Sequence, residues 1–202
     1  MKRIVAIHGG TGYHLAALCQ PFDQYLDRVV HVRDLQARDF DDADIVVVTC
    51  RTNAARLVPH RPLIESFLAQ GGTVVAMGET SPEAWLPGPI AFKPNPVNYW
   101  WWLTPGASLG ISVAAPEHPF FRALTLADCT WHHHGTFAPP PGATTLLRDD
   151  ASGQAVLYED RVTTPGRLIA MSLDPFYHHG CSFMPATTRF LSRFLPWLKE
   201  IH

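Results

Sequence analysis

Gly71-Gly-Thr-Val-Val-Ala-Met-Gly-Glu-Thr80 is the stretch on which the fold turns. Thr73 to Met77 is a short run rich in β-branched residues with glycines on both sides, the pattern of a central strand buried on both faces of a parallel sheet. Leu63-Ile-Glu-Ser-Phe-Leu-Ala-Gln70 precedes it with helical apolar spacing, so a helix feeds the strand. The run stops abruptly at Gly78-Glu79-Thr80, and in open α/β sheets ligands bind beyond the carboxyl ends of such strands.

Upstream, Arg3 to His8 reads as a first strand, Gly9-Gly-Thr-Gly12 as a turn into a helix reaching about Leu26, Arg28 to Arg33 as a second strand and Asp44 to Thr49 as a third. Strands that alternate with helices predict right-handed crossovers and a doubly wound, mainly parallel α/β sheet of the flavodoxin-like kind. Downstream, Ser81 to Gly106 holds six prolines and Tyr99-Trp-Trp-Trp102, and reads as an insertion packed on its own aromatics. Leu109 to Ala114 predicts a strand, His118 to Leu124 a helical turn and Thr130 to Phe137 an extended segment. Thr144 to Arg148 and Ala155 to Glu159 predict an antiparallel hairpin around Asp149-Asp-Ala-Ser-Gly153, and Arg167 to Leu173 a last inner strand. Pro185 to about Ile201 predicts a closing helix that Pro196 kinks or shortens. No linker divides the chain, so the expectation is a single domain over residues 1–202 with an insertion at about 81–106.

A chain of 202 residues can bury roughly 70% of its unfolded surface, enough for a core without staples. Its formal net charge of −2 offers no basic footprint for nucleic acid. No apolar run reaches the roughly 20 residues that span a bilayer, and no signal peptide precedes the first strand, so neither a membrane nor a nucleic acid is an expected partner and the cytoplasm is the expected compartment. The four cysteines, Cys19, Cys50, Cys129 and Cys181, form no C-x-x-C pair and read as reduced thiols.

The order of elements, with Gly71-Gly72 before the central strand, His118-Pro119, Gly166-Arg167-Leu168 opening the last strand and a polar cluster after it, resembles class I glutamine amidotransferase-like domains. Within that superfamily the chain is most similar to the trehalose-utilisation ThuA-like branch. The resemblance implies a small-molecule, carbohydrate-related ligand bound or hydrolysed at the carboxyl edge of the sheet. It also implies a cysteine in a G-x-C-x-G elbow after the central strand, where this chain has Ala76-Met-Gly-Glu-Thr80. The triad histidine is expected after the last inner strand, where this chain reads Asp174-Pro-Phe-Tyr-His178-His179-Gly180. Glutamine hydrolysis by the usual cysteine route is therefore not expected.

His8, Cys50, Glu79 and Asp174 all fall at carboxyl ends of predicted strands, which share one edge. Glu79 or Asp174 is a candidate general base, His179 its partner, and Cys50 a candidate nucleophile or an inert buried thiol. Trp131-His132-His133-His134-Gly135 would wall the site, with His132 and His134 on one face of an extended segment. His132, His134 and His178, completed by Asp174 or Glu79, are candidate ligands of a divalent metal, or else packing groups. Gly10 begins a G-x-G pair after the first strand, with Asp34 ending the second, but Leu15 replaces the third glycine, so no nicotinamide cofactor is expected and Gly10 reads as a ligand contact at a helix start. Tyr177, His178 and Trp101 complete the expected binding residues, the Tyr99–Trp102 run serving as lid, core or homo-oligomer contact. Three readings stay open at this point: a small-molecule hydrolase, a non-catalytic ligand-binding or accessory domain, and an oligomeric structural partner.

Overall fold

The computed structural model describes residues 1–95 and 100–201. The first half runs β1 (Ile4–His8), α1 (Gly12–Ala17), β2 (Arg28–His31), β3 (Ile45–Val48), α2 (Ala54–Leu57), α3 (Arg61–Ala69), β4 (Thr73–Ala76), α4 (Pro82–Trp85) and β5 (Ala91–Pro94). The second half runs β6 (Ile111–Val113), α5 (Phe120–Ala123), β7 (Gly135–Ala138), β8 (Thr144–Asp149), β9 (Ala155–Asp160), β10 (Arg167–Met171), α6 (Pro175–Gly180) and α7 (Pro185–Glu200). The strands form one sheet in the order β2-β1-β3-β4-β10-β9-β7-β5, with β8 on β9 and β6 on β8. β2 to β10 in that order are parallel, and β9, β8, β7, β5 and β6 add antiparallel pairs.

The β-branched runs sort by period two onto the two faces of the sheet. Ile4, Ala6, Ile45, Val47, Val75 and Ile169 face one core, closed by Phe190, Leu191, Phe194, Leu195 and Leu198 of α7. Val5, Ile7, Val46, Val48, Val74 and Ala170 face the other, closed by Ile64, Phe67 and Leu68 of α3 and by Trp85 of α4. β4 is buried throughout, as its continuous apolar run predicts.

The glycine pair before β4 has a definite function. Gly71 takes φ +92 and its N–H donates to the Leu68 carbonyl, while the Gly72 N–H donates to the Phe67 carbonyl. This is a Schellman cap on α3, which needs a left-handed residue at its first position outside the helix. A Cβ on Gly72 would lie 2.5 Å from the Phe67 ring, so the second glycine lets that ring seal the start of β4.

Four boundaries differ from expectation. The helix after β1 ends at Ala17 instead of Leu26, because Pro21 cannot continue a helix and disfavours it in the residue before; a 3₁₀ turn at Asp23–Tyr25 follows. The segment from Thr130 is strand only at Gly135–Ala138. Pro196 does not shorten α7, which continues to Glu200. The insertion contributes β5, which pairs antiparallel with β7, and a 3₁₀ turn at Trp101–Leu103. Tyr99 lies outside the described residues. Among the described residues no helix is long and apolar enough to cross a membrane.

Asp128 fastens the segment before β7 to α7. Its buried carboxylate accepts the Thr125 N–H (2.9 Å), the Thr125 hydroxyl (2.7 Å) and Arg193 Nη1 (2.5 Å), with Arg189 beyond. Burial alone would raise this carboxyl, but the Thr125 bonds and the two arginines outweigh it and hold it below its ordinary 3.8. A depressed carboxylate stabilises the fold fully above its unfolded value and loses that contribution as pH falls through the folded value. Arg189 and Arg193 are half exposed, so solvent screens the pairing, and Asp128→Asn should cost about 1–2 kcal/mol at neutral pH. Urea unfolding from about pH 6 down to about pH 3 should show the gap to wild type narrowing in acid; a constant gap would rule out the ionic contribution.

Candidate functional site

The carboxyl ends of β3, β4 and β10 deliver their next residues to one edge. Backbone bonds continue past the strands: Arg51 N–H donates to Gly78 O (2.9 Å), Gly78 N–H to Leu173 O (2.9 Å), and His134 N–H to Ser172 O (3.0 Å). Gly78 permits the closest of these approaches, since a Cβ there would sit 2.7 Å from the Ser172 carbonyl oxygen. The chain then bends sharply. Arg51 (φ 62), Glu79 (φ 58) and Ser81 (φ 47) all adopt the left-handed region, which disfavours side chains by roughly 1–2 kcal/mol each.

Those bends bring four charged groups into a closed ring. Glu79 Oε1 lies 3.3 Å from His134 Nδ1, and His134 Nε2 lies 2.9 Å from Asp174 Oδ2. Arg51 Nη2 lies 3.3 Å from the same Asp174 oxygen and 3.0 Å from Glu79 Oε2. The Arg51 guanidinium also stacks over Tyr177, 3.6 Å from the ring centre. Asp174 is fully buried. Its other oxygen, Oδ1, accepts Trp131 Nε1–H at 3.2 Å and faces His178 Nε2 at 3.2 Å and His132 Nε2 at 3.6 Å.

The charge states follow from these contacts. Burial would raise the Asp174 carboxyl, but hydrogen bonds from His132, His134 and His178 hold it well below the carboxylate range. Burial would lower His134, but its pairing with Asp174 and Glu79 raises it to about 9, so it is an imidazolium at neutral pH with its two ring nitrogens facing carboxylate oxygens. The hydrogen bond from His134 lowers Glu79 against an opposing burial effect. Burial lowers His132. The ring therefore holds two cations and two anions. Glu79, with 39% of its side chain exposed, and Arg51, with 30%, are the members that solvent reaches. Such a site can accept a hydrogen bond or proton at Glu79 and offer a cation at Arg51, with the buried His134 fixing the Glu79 carboxylate from behind.

Glu79, Asp174, His134, His178, Trp131 and Tyr177 are thus brought together, and His132 joins them through Asp174 Oδ1. Trp131 is no wall, being 1% exposed: its indole stacks edge-on against Phe190 and supports the buried carboxylate. His179 is not part of the cluster. Its Nδ1 bonds the Thr188 hydroxyl at 2.8 Å and its ring packs on Phe22, because adjacent residues of α6 point to different sides. Cys50 sits beside the ring but is fully buried, and its sulfur accepts the Tyr177 N–H at 3.3 Å. Burial and the neighbouring Asp174 charge push its thiol far up, which disfavours the thiolate that a nucleophile needs. His8 belongs to a separate histidine group, packed edge-on against His14 and His31. Gly10, at φ +81, makes room for His31 there: a Cβ would come within 2.7 Å of its ring. Trp101 bonds the Trp131 carbonyl through Nε1 at 2.6 Å, whereas Trp100 and Trp102 are exposed.

Two residues escaped the sequence reading. Arg51 obeys the same strand-end rule that singled out Cys50, one position later. His14 joins the two groups: its Nδ1 accepts the Gly9 N–H and its Nε2–H donates to the Cys50 carbonyl at 2.6 Å, fixing a neutral tautomer that burial also favours.

No protein-family model matches the chain. No curated protein sequence matches it either. Solved structures do. A ThuA-like protein from Bacteroides uniformis ATCC 8492 superposes with a TM-score of 0.54 at 11% identity, over 98% of this chain and 91% of that one. A protein from Thermoplasma acidophilum described as a GMP synthase component gives 0.53 at 12% identity, over 99% of both chains. The exo-β-1,4-mannosidase Op5Man5 from Opitutaceae bacterium strain TAV5 gives 0.50 at 12% identity, over 99% of this chain but only 36% of that enzyme. At these identities the likeness is one of fold: a ThuA-like and glutamine amidotransferase-like α/β architecture.

The buried thiols give a direct check of this geometry. In the native protein a thiol reagent should label Cys19 and Cys181, which are exposed, and spare Cys50 and Cys129, which are buried. Cys50 found among the rapidly labelled peptides by mass spectrometry would contradict the packing around Tyr177.

Proposed function

We propose that the partly exposed surface formed by Arg51, Glu79 and Tyr177 binds a small polar molecule of the carbohydrate-related class and hydrolyses it, with Glu79 taking a proton from the attacking water and returning it to the leaving group, and His134 holding Glu79 in place. The observation that carries this reading is the closed ring in which His134 joins Glu79 (3.3 Å) and Asp174 (2.9 Å). Glu79 stands in the turn after the central strand, the place the resembled superfamily gives to its cysteine. A carboxylate there is ionised near neutrality and needs no activating partner to accept a proton from water. Asp174 is fully buried and cannot reach a ligand there, so Glu79 is the accessible carboxylate of this pair. The usual glycosidase arrangement places two carboxylates on opposite sides of the scissile bond. A single accessible one argues instead for water adding to a polarised centre, with Arg51 holding the developing negative charge.

The fold likeness to a ThuA-like protein and to part of a mannosidase supports a carbohydrate-related ligand. The second of these, in which the matching part is 36% of the enzyme, also suits an accessory role without chemistry. The two readings separate on one residue. A panel of mono- and disaccharides and their esters and amides, followed by calorimetry for binding and mass spectrometry for products, should yield turnover that Glu79→Gln lowers about a hundredfold or more. Binding without turnover would favour the accessory reading. Binding that survives unchanged in both Glu79→Gln and Arg51→Met would remove this surface from the proposal. Ammonia release from glutamine is not expected from either the wild type or Cys50→Ser.

A further inference from the structure

Three donor atoms converge at Asp174 Oδ1, the carboxylate oxygen outside the charged ring. His178 Nε2 lies 3.2 Å and His132 Nε2 3.6 Å from it, and the two imidazole nitrogens are 2.8 Å apart. A circle through these three atoms has a radius of about 1.9 Å, so a point about 2.0–2.1 Å from all three exists, less than about 1 Å out of their plane. That is the bond length zinc makes to imidazole nitrogen and carboxylate oxygen. Tetrahedral bonding at this length needs donor separations of about 3.3 Å, so only the His132–His178 pair must open, by about half an ångström.

We propose that His132, His178 and Asp174 form a binding site for a divalent transition-metal ion of the zinc class. The donors come from rigid places. Asp174 ends the segment after β10, His178 lies one helical turn later on α6, and His132 precedes β7, whose approach is tied to β10 by the His134-to-Ser172 backbone bond. The carboxylate is oriented before any ion arrives: Oδ2 is held by His134 and Arg51, and Oδ1 by the Trp131 indole. Two imidazoles and one carboxylate suit zinc, cobalt or iron(II) better than magnesium or calcium, which prefer oxygen throughout. Three protein donors leave one tetrahedral position for water or a ligand. His178 also borders a cavity of about 450 Å³ lined by His179, Ser182, Met184, Pro185, Thr188 and Arg189. The site shares Asp174 with the charged ring but does not depend on Glu79 acting as a base.

Tag-free protein, dialysed against chelator, should take up one zinc ion per chain by calorimetry and gain thermal stability from it. Cobalt(II) in its place should show the visible absorption of a tetrahedral nitrogen–oxygen site. His132→Ala and His178→Ala should each weaken binding by at least about tenfold to a hundredfold, the loss that outer-sphere partners alone produce. His179→Ala and Glu79→Gln should leave stoichiometry and affinity unchanged, which keeps this test separate from that of the hydrolytic surface. A folded wild type that neither binds the ion stoichiometrically nor gains stability from it would overturn the assignment, even if the alanine variants do not fold. So would binding that survives in the His132→Gln/His178→Gln double variant. Loss of binding in Glu79→Gln would overturn it as well, by moving the ion to the Glu79, His134 and Asp174 group.

Discussion

The Asp174 carboxylate has no contact with solvent, and the architecture of the carboxyl edge follows from that fact. An ionised carboxylate taken out of water costs several kcal/mol unless nearby charge and hydrogen bonds replace its hydration. Here both oxygens are supplied: Oδ2 by His134 and Arg51, Oδ1 by Trp131, His178 and His132. The partners come from three places, Arg51 from the β3 exit, Trp131, His132 and His134 from the segment before β7, and His178 from α6, so one buried charge fixes the mutual positions of all three. Loss of the carboxylate would leave two cations facing each other, which is why such groups are far costlier to delete singly than they are valuable as pairs.

The same demand accounts for the backbone strain. Arg51 and Glu79 are held in the left-handed region, where neither residue type is comfortable, and Ser81 follows them there. An ordinary extended exit would send these side chains along the strand direction. The positive φ turns both toward Asp174 and His134, and the ring contacts hold them against the strain. Backbone bonds from Arg51 to Gly78 and from Gly78 to Leu173 keep the three exits in register, so the geometry rests on strand ends and not on loops.

This division also explains what could be read from the chain beforehand. The sheet was legible because buried parallel strands are β-branched runs with glycine punctuation, and Thr73–Ala76 and Ile45–Val48 are both of that kind. Glu79 and Asp174 were legible as strand-end residues, and His132 with His134 as alternate residues of an extended segment. His178 could not be told from His179, because adjacent helical residues differ by a rotation that only the packing of α6 settles. Arg51 was passed over for Cys50 for a similar reason: the cysteine ends the strand pointing into the core, and the kink at the next residue sends the arginine to the edge. β5 was missed because Ala91-Phe-Lys-Pro94 has no alternation of its own and becomes a strand only against β7, far downstream.

The two oxygens of Asp174 face two kinds of chemistry. Oδ2 belongs to a charge-balanced ring that opens to solvent at Glu79 and Arg51, suited to a polar ligand that replaces water there. Oδ1 belongs to a buried group of imidazoles, His132 and His178, on the α6 side. A carboxylate with one free oxygen could rotate to serve either side. This one is held on both sides and on its indole edge, so it supplies a fixed negative charge to everything around it. A fixed, buried charge at Asp174 beside the partly exposed Glu79 carboxylate separates the group that orders the ring from the group that solvent reaches. Of the two carboxylates, water reaches only Glu79.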